Sequence, residues 1–147
     1  MKKTQAARLA SVKVEAGMNL SVTYTDGRIV PVNLSDAVNR LQAFAPLENP
    51  LEFATVTVAD FGWTLEWDCG ASLDSDRVLE LSLEQAGMAE NVRFRHWQDA
   101  NHLSLSDAAK AIGLTRRTIS KYRTGARPVP RYISLACKGW NAEQQDK

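Results

Sequence analysis

Between Thr115 and Arg127 the chain reads Thr-Arg-Arg-Thr-Ile-Ser-Lys-Tyr-Arg-Thr-Gly-Ala-Arg, a concentration of cations and hydroxyls. Wound as a helix at about 100° per residue, Arg116, Arg117, Ser120, Lys121 and Thr124 share one arc, with Thr118, Ile119 and Tyr122 on the other side. The chemistry open to such an arc is recognition of a polyanion. Ammonium and guanidinium groups displace the counterions of phosphates. A guanidinium also pairs two-pronged with O6 and N7 of guanine in a major groove. An ordinary solvated surface is the bland alternative, but two arginines opening the helix and a basic loop after it favour the polyanion.

The elements that must hold this arc are written in the preceding residues. Ser104 is suited to cap a helix whose Asp107 places negative charge near the N-terminal amides. Leu105, Ala108, Ala109 and Ile112 fall at i, i+3, i+4 and i+7, one apolar face. Gly113 suits the stop, Leu114 the buried hinge, and Thr115 the cap of the second helix. A short helix, a glycine turn and a second short helix make the outline of a helix-turn-helix.

These residues resemble the lambda-repressor-like DNA-binding domain of the xenobiotic-response-element type. The resemblance rests on Ala109, Gly113, Leu114, the Thr118-Ile119-Ser120-Lys121 core and the Gly125-Ala-Arg-Pro128 exit. It covers Asn91 to roughly Asn141, with Leu105 where many members carry Gln. It implies sequence-specific binding to double-stranded DNA by a homodimer, repressor-like, with Arg116, Arg117 and Ser120 on base edges. Thr115, Lys121, Thr124 and Arg127 are then expected on phosphates. Arg123 and Lys110 extend the set of cations available to the duplex. With three or four phosphate contacts per protomer, log affinity against log salt is expected to fall with a slope of about −5 to −7 for the dimer. The family usually has five helices, so this module reads as truncated, with the Asp74–Gln85 helix a candidate to supply the missing packing.

The formal net charge of +1 conceals a division. From Leu9 to Glu90 there are 13 acidic and 4 basic residues, whereas from Asn91 to Asn141 there are 10 basic and 2 acidic. Asymmetry of this kind points to two modules, only one of them favouring a polyanion. The expected fold class is α+β: a β-rich domain with one or two helices over 1–86, then an all-α domain over 87–147.

In the first module Ser11–Glu15 and Asn19–Thr25 alternate as half-buried strands do. Asp26-Gly27 is a hairpin turn signal, and Arg28–Val32 returns. Pro31 lacks an amide hydrogen, which places that strand at an edge. Ser35 is expected to cap a helix from Asp36 to about Phe44 with Ala37, Val38, Leu41 and Phe44 inward. Phe53–Ala59 and Trp63–Trp67 read as strands, the tryptophans as core. Asp74 or Ser75 caps a further helix. The Asp-Gly hairpin, Val32-Asn-Leu-Ser35 and the Leu65–Asp74 segment are similar to a small bacterial α+β domain of unknown function. Some stand-alone copies of it look like toxin–antitoxin partners. The alternative function is therefore an antitoxin-like module whose acidic half binds a protein partner.

In the second module Val92, Arg93, His96, Trp97 and Ala100 open the first helix, Trp97 as its anchor. Arg131 to about Trp140 closes the domain with Ile133, Ala136, Cys137 and Trp140 inward, before a frayed end from Asn141. No glycine-rich phosphate loop, nucleophile elbow or paired His and carboxylate motif is written in the chain, so no enzyme, catalytic residue or cofactor is expected. Cys69 and Cys137 stand alone and His96 and His102 lack ligand spacing, so neither a disulfide nor a metal site is expected. No apolar run is long enough for a membrane span, and polar Thr4-Gln5 follow Met1-Lys-Lys, giving the expectation of a cytoplasmic protein.

Overall fold

The computed structural model describes residues 8–146; residues 1–7, including the Met1–Gln5 stretch, and Lys147 lie outside the described residues. The fold is α+β, and the chain divides into two compact units, Met1–Gln85 and Ala86–Lys147.

In the first unit β1 (Leu9–Glu15), β2 (Asn19–Tyr24) and β3 (Ile29–Asn33) form an antiparallel sheet in that order. Leu20, Val22 and Tyr24 of β2 alternate into the core. Pro31 sits opposite Ser21 on β3, an edge strand as expected. The following Asn33 has both its backbone groups held by one side chain: its N–H donates to Gln85 Oε1 and its carbonyl accepts from Gln85 Nε2, each at 2.8 Å.

The helix after β3 departs from expectation. α1 spans only Ser35–Arg40, and Leu41 turns to extended backbone before a 3-10 helix over Gln42–Glu48. Pro46 accounts for the 3-10 course of the later segment, because its ring and missing N–H exclude the α-helical bond to the Gln42 carbonyl. Leu41 is exposed, while Ala37, Val38 and Phe44 are buried. Nor does Ser35 cap α1; its N–H instead donates to Asn33 Oδ1 at 2.9 Å.

Phe53 also leaves its expected strand. It ends α2 (Pro50–Phe53), where Asn49 Oδ1 accepts from Leu51 N at 2.9 Å and Pro50 takes the first position. An Asn cap followed by proline starts a helix irrespective of the β-branched residues beyond. The second sheet is β4 (Thr57–Ala59), β5 (Thr64–Glu66) and β6 (Ser72–Asp74), antiparallel in that order. Trp67 is buried against Phe44 and Phe53, and its indole N–H donates to the Phe53 carbonyl at 3.1 Å. Gly62, at φ +95°, lets β1 approach: a Cβ there would stand 2.6 Å from the Leu9 carbonyl oxygen. α3 (Ser75–Gln85) packs on β3 and β6 of this same unit.

The second unit is all helical: α4 (Ala89–Ala100), α5 (Leu105–Ile112), α6 (Arg116–Thr124) and α7 (Arg131–Gln145). Its core joins Phe94 and Trp97 of α4, Ala108 and Ala109 of α5, Ile119 and Tyr122 of α6, and Ile133 and Cys137 of α7. Phe94 meets Tyr122 edge to face at 5.3 Å, and Trp97 meets Trp140 likewise at 5.6 Å. α7 continues helically to Gln145, beyond the expected fraying point.

Candidate nucleic-acid interface

Each end of α5 and α6 is fixed by local chemistry. Ser104 Oγ accepts from Asp107 N at 3.0 Å, and Gly113 closes α5 in the left-handed region at φ 76°. After Leu114, Thr115 Oγ1 accepts from Thr118 N at 3.2 Å to begin α6. Leu105 packs against the core, an apolar anchor for the start of α5.

Ile119 and Tyr122 of α6 are buried, which turns Arg116, Arg117 and Ser120 outward, all exposed. Lys121 is half-buried on the same arc. Arg127 follows in the exposed loop beyond α6, its N–H donating to the Lys121 carbonyl at 3.3 Å. Thr124 is half-buried and engaged locally, donating to the Lys121 carbonyl at 3.4 Å and accepting from Ala126 N at 3.3 Å. Among the described residues Arg116, Arg117, Lys121 and Arg127 enter no ion pair.

The first turn of α6 runs against local electrostatics. It carries two arginines and no acid at the helix end where the backbone dipole is positive. Its neighbour α5 has Asp107 at the equivalent place. Among the described residues no ion pair offsets this departure from the local rule.

Arg123 behaves otherwise than expected of a duplex-facing cation. It is only 4% exposed, and its guanidinium donates to Gln98 Oε1 at 3.0 Å and Asp99 Oδ1 at 3.1 Å. It belongs to a polar seam from α4 that the sequence reading missed. Arg95 donates to the Arg123 carbonyl at 2.7 Å. Asn91 Nδ2 donates to the carbonyls of Tyr122 and Arg127 at 2.9 and 2.8 Å, and Asn91 Oδ1 accepts from Val129 N at 3.0 Å. Two of the carbonyls at the end of α6, which have no donor within the helix, those of Tyr122 and Arg123, are thus satisfied by α4, and Arg127 is held in place through its backbone. The signal was Asn91, Arg95 and Gln98 at i, i+4 and i+7, core spacing occupied by polar residues. His96 and His102 are both exposed. Among the described residues no group of three or more His, Cys, Asp or Glu side chains is placed to hold a metal ion, and no helix is long and apolar enough to cross a membrane.

The family model described as "Protein of unknown function (DUF2442)" matches residues 9–84. The chain belongs to this family. The DUF2442 match ends within α3 and so coincides with the first unit, while α4–α7 lie outside it. None of the curated proteins matches the chain. Among solved structures, the crystal structure of "Putative DNA Binding Protein NE0471" from Nitrosomonas europaea is similar, at 36% sequence identity and a TM-score of 0.67. The match covers 92% of this chain and 87% of that one, so the similarity extends past the DUF2442 unit into the helices.

Proposed function

We propose that the chain is a sequence-specific double-stranded DNA-binding protein, a repressor-like regulator that uses α5 and α6 as a helix-turn-helix. The observation that carries this reading is the pair Arg116 and Arg117, exposed and, among the described residues, without ion pairs on a helix end whose dipole repels them. The similarity to a protein described as DNA binding supports it independently. Arg116, Arg117 and Ser120 face base edges; Thr115, Lys121, Thr124 and Arg127 hold phosphates. Homodimers of the chain read half-sites about one helical turn apart. Selection from a random duplex library tests the proposal: the full chain enriches a motif, and a variant with both arginines replaced by alanine does not. Equal enrichment by the two, or none by either, sinks it.

A second reading, an antitoxin-like module, draws on the DUF2442 unit. That unit is acidic yet leaves Leu51 and Phe61 more than four-fifths exposed. Exposed apolar side chains on an acidic unit suit a basic protein partner. Where a short basic reading frame overlaps this one, co-expression tests the idea, with binding lost on Leu51→Asp and Phe61→Asp.

A further inference from the structure

Helices α4 and α7 leave a groove of about 250 Å³ between them. Its apolar lining is the half-exposed Leu135 over the core residues Phe94, Trp97 and Cys137, each less than a tenth exposed. Burial pushes the Cys137 thiol up to about 11, so it serves there as a small apolar group with no thiolate character at neutral pH.

The rim is made of donors. Arg131 and Lys138 are exposed and enter no ion pair among the described residues. Asn141 Oδ1 accepts from Trp97 Nε1 at 3.1 Å and from Asn101 Nδ2 at 3.3 Å, so the remaining capacity of Asn141 is as a donor. The one carboxylate in the lining, Glu90, is already engaged by Arg93 and by Ser134 Oγ at 2.9 Å. Its charge is offset by the paired Arg93, which leaves Arg131 and Lys138 as a net positive rim.

We propose that this groove binds a small carboxylate with a flat apolar body. The body lies on Leu135 above the buried Phe94 and Trp97, and the carboxylate meets Arg131 and Lys138. The volume falls just under the roughly 300 Å³ at which pockets for drug-sized ligands begin, which fits a bicyclic or smaller molecule. The inference stands on α4 and α7 alone and does not depend on the DNA-binding reading.

The test is titration of the isotope-labelled full chain with 1-naphthoate, followed by amide and indole N–H shifts. Saturable shifts are expected at the Trp97 indole and along α7 near Arg131–Asn141. The neutral isostere 1-naphthalenemethanol is expected to bind about tenfold more weakly, as is naphthoate to an Arg131→Gln, Lys138→Gln double variant, the loss appropriate to charge-assisted hydrogen bonds. Absence of saturable shifts at millimolar naphthoate overturns the proposal. So does equal binding of the neutral alcohol, a comparison made on the unaltered chain and therefore independent of how the variant folds. Shifts confined to residues outside α4 and α7 overturn it as well.

Discussion

The two ends of α6 are both built with arginine, and they use it in opposite ways. At the C-terminal end Arg95 and Arg123 are buried, and Arg95 donates to the Arg123 carbonyl, where a cation also suits the dipole. At the N-terminal end Arg116 and Arg117 are exposed, and nothing in the fold rewards their charge. One end is a clamp and the other an open hand. Residue type therefore says little about role until burial and the direction of the helix are known.

Removing the clamp has the largest expected effect. Arg95→Met keeps the apolar stem but leaves the Arg123 carbonyl without its charged donor, and costs about 2–3 kcal/mol. The Trp97 indole signal during urea unfolding reports it for the second unit alone, since the two units need not unfold together. At the open end Arg116→Ala leaves the same unfolding midpoint unchanged or slightly raised. On the proposed reading it costs on the order of 1–3 kcal/mol of DNA affinity and relaxes preference at one base. A loss of stability equal to that of Arg95→Met would erase the contrast between the ends.

Thr115→Ala removes the cap shared with Thr118 and costs about 1 kcal/mol of stability, measurable by the same unfolding signal. The finest distinction comes from salt. Lys121→Ala is expected to reduce the slope of log affinity against log salt by about 0.9 per protomer, with all sequences weakened alike. Arg123→Gln should leave that slope unchanged, because the guanidinium it removes faces Gln98 and Asp99. A changed slope in the Arg123 variant would mean that this side chain reaches phosphate after all.

The unequal legibility of these ends has a physical cause. Ser104, Gly113, Thr115 and Gly125 act within three or four residues of themselves, so capping rules locate α5 and α6 without tertiary knowledge. The outward arc of α6 follows from the same spacing. The α4 seam could not be read in this way. Asn91 and Arg95 act on backbone some 30 residues away, and a buried polar residue looks on paper like a solvated one. In the DUF2442 unit, the edge position of Pro31 was legible because a missing N–H is local. Phe53 was not placed correctly, since the Asn49-Pro50 pair overrides the periodicity in which it sits, and Leu41 was not, since α1 already stops at Arg40.

The fixing of Asn33 by Gln85 has a further consequence for how molecules of this kind keep apart. Backbone groups on an edge strand point outward at every second residue, so with Asn33 facing Gln85 the outward positions of β3 are Ile29, Pro31 and Asn33. Pro31 has no hydrogen to offer, and Asn33 is occupied by a side-chain amide that imitates a neighbouring strand. Only Ile29 retains both groups for an incoming chain. Templated growth of the sheet, the route by which unprotected edges seed fibrils, meets a margin already closed at two of its three steps.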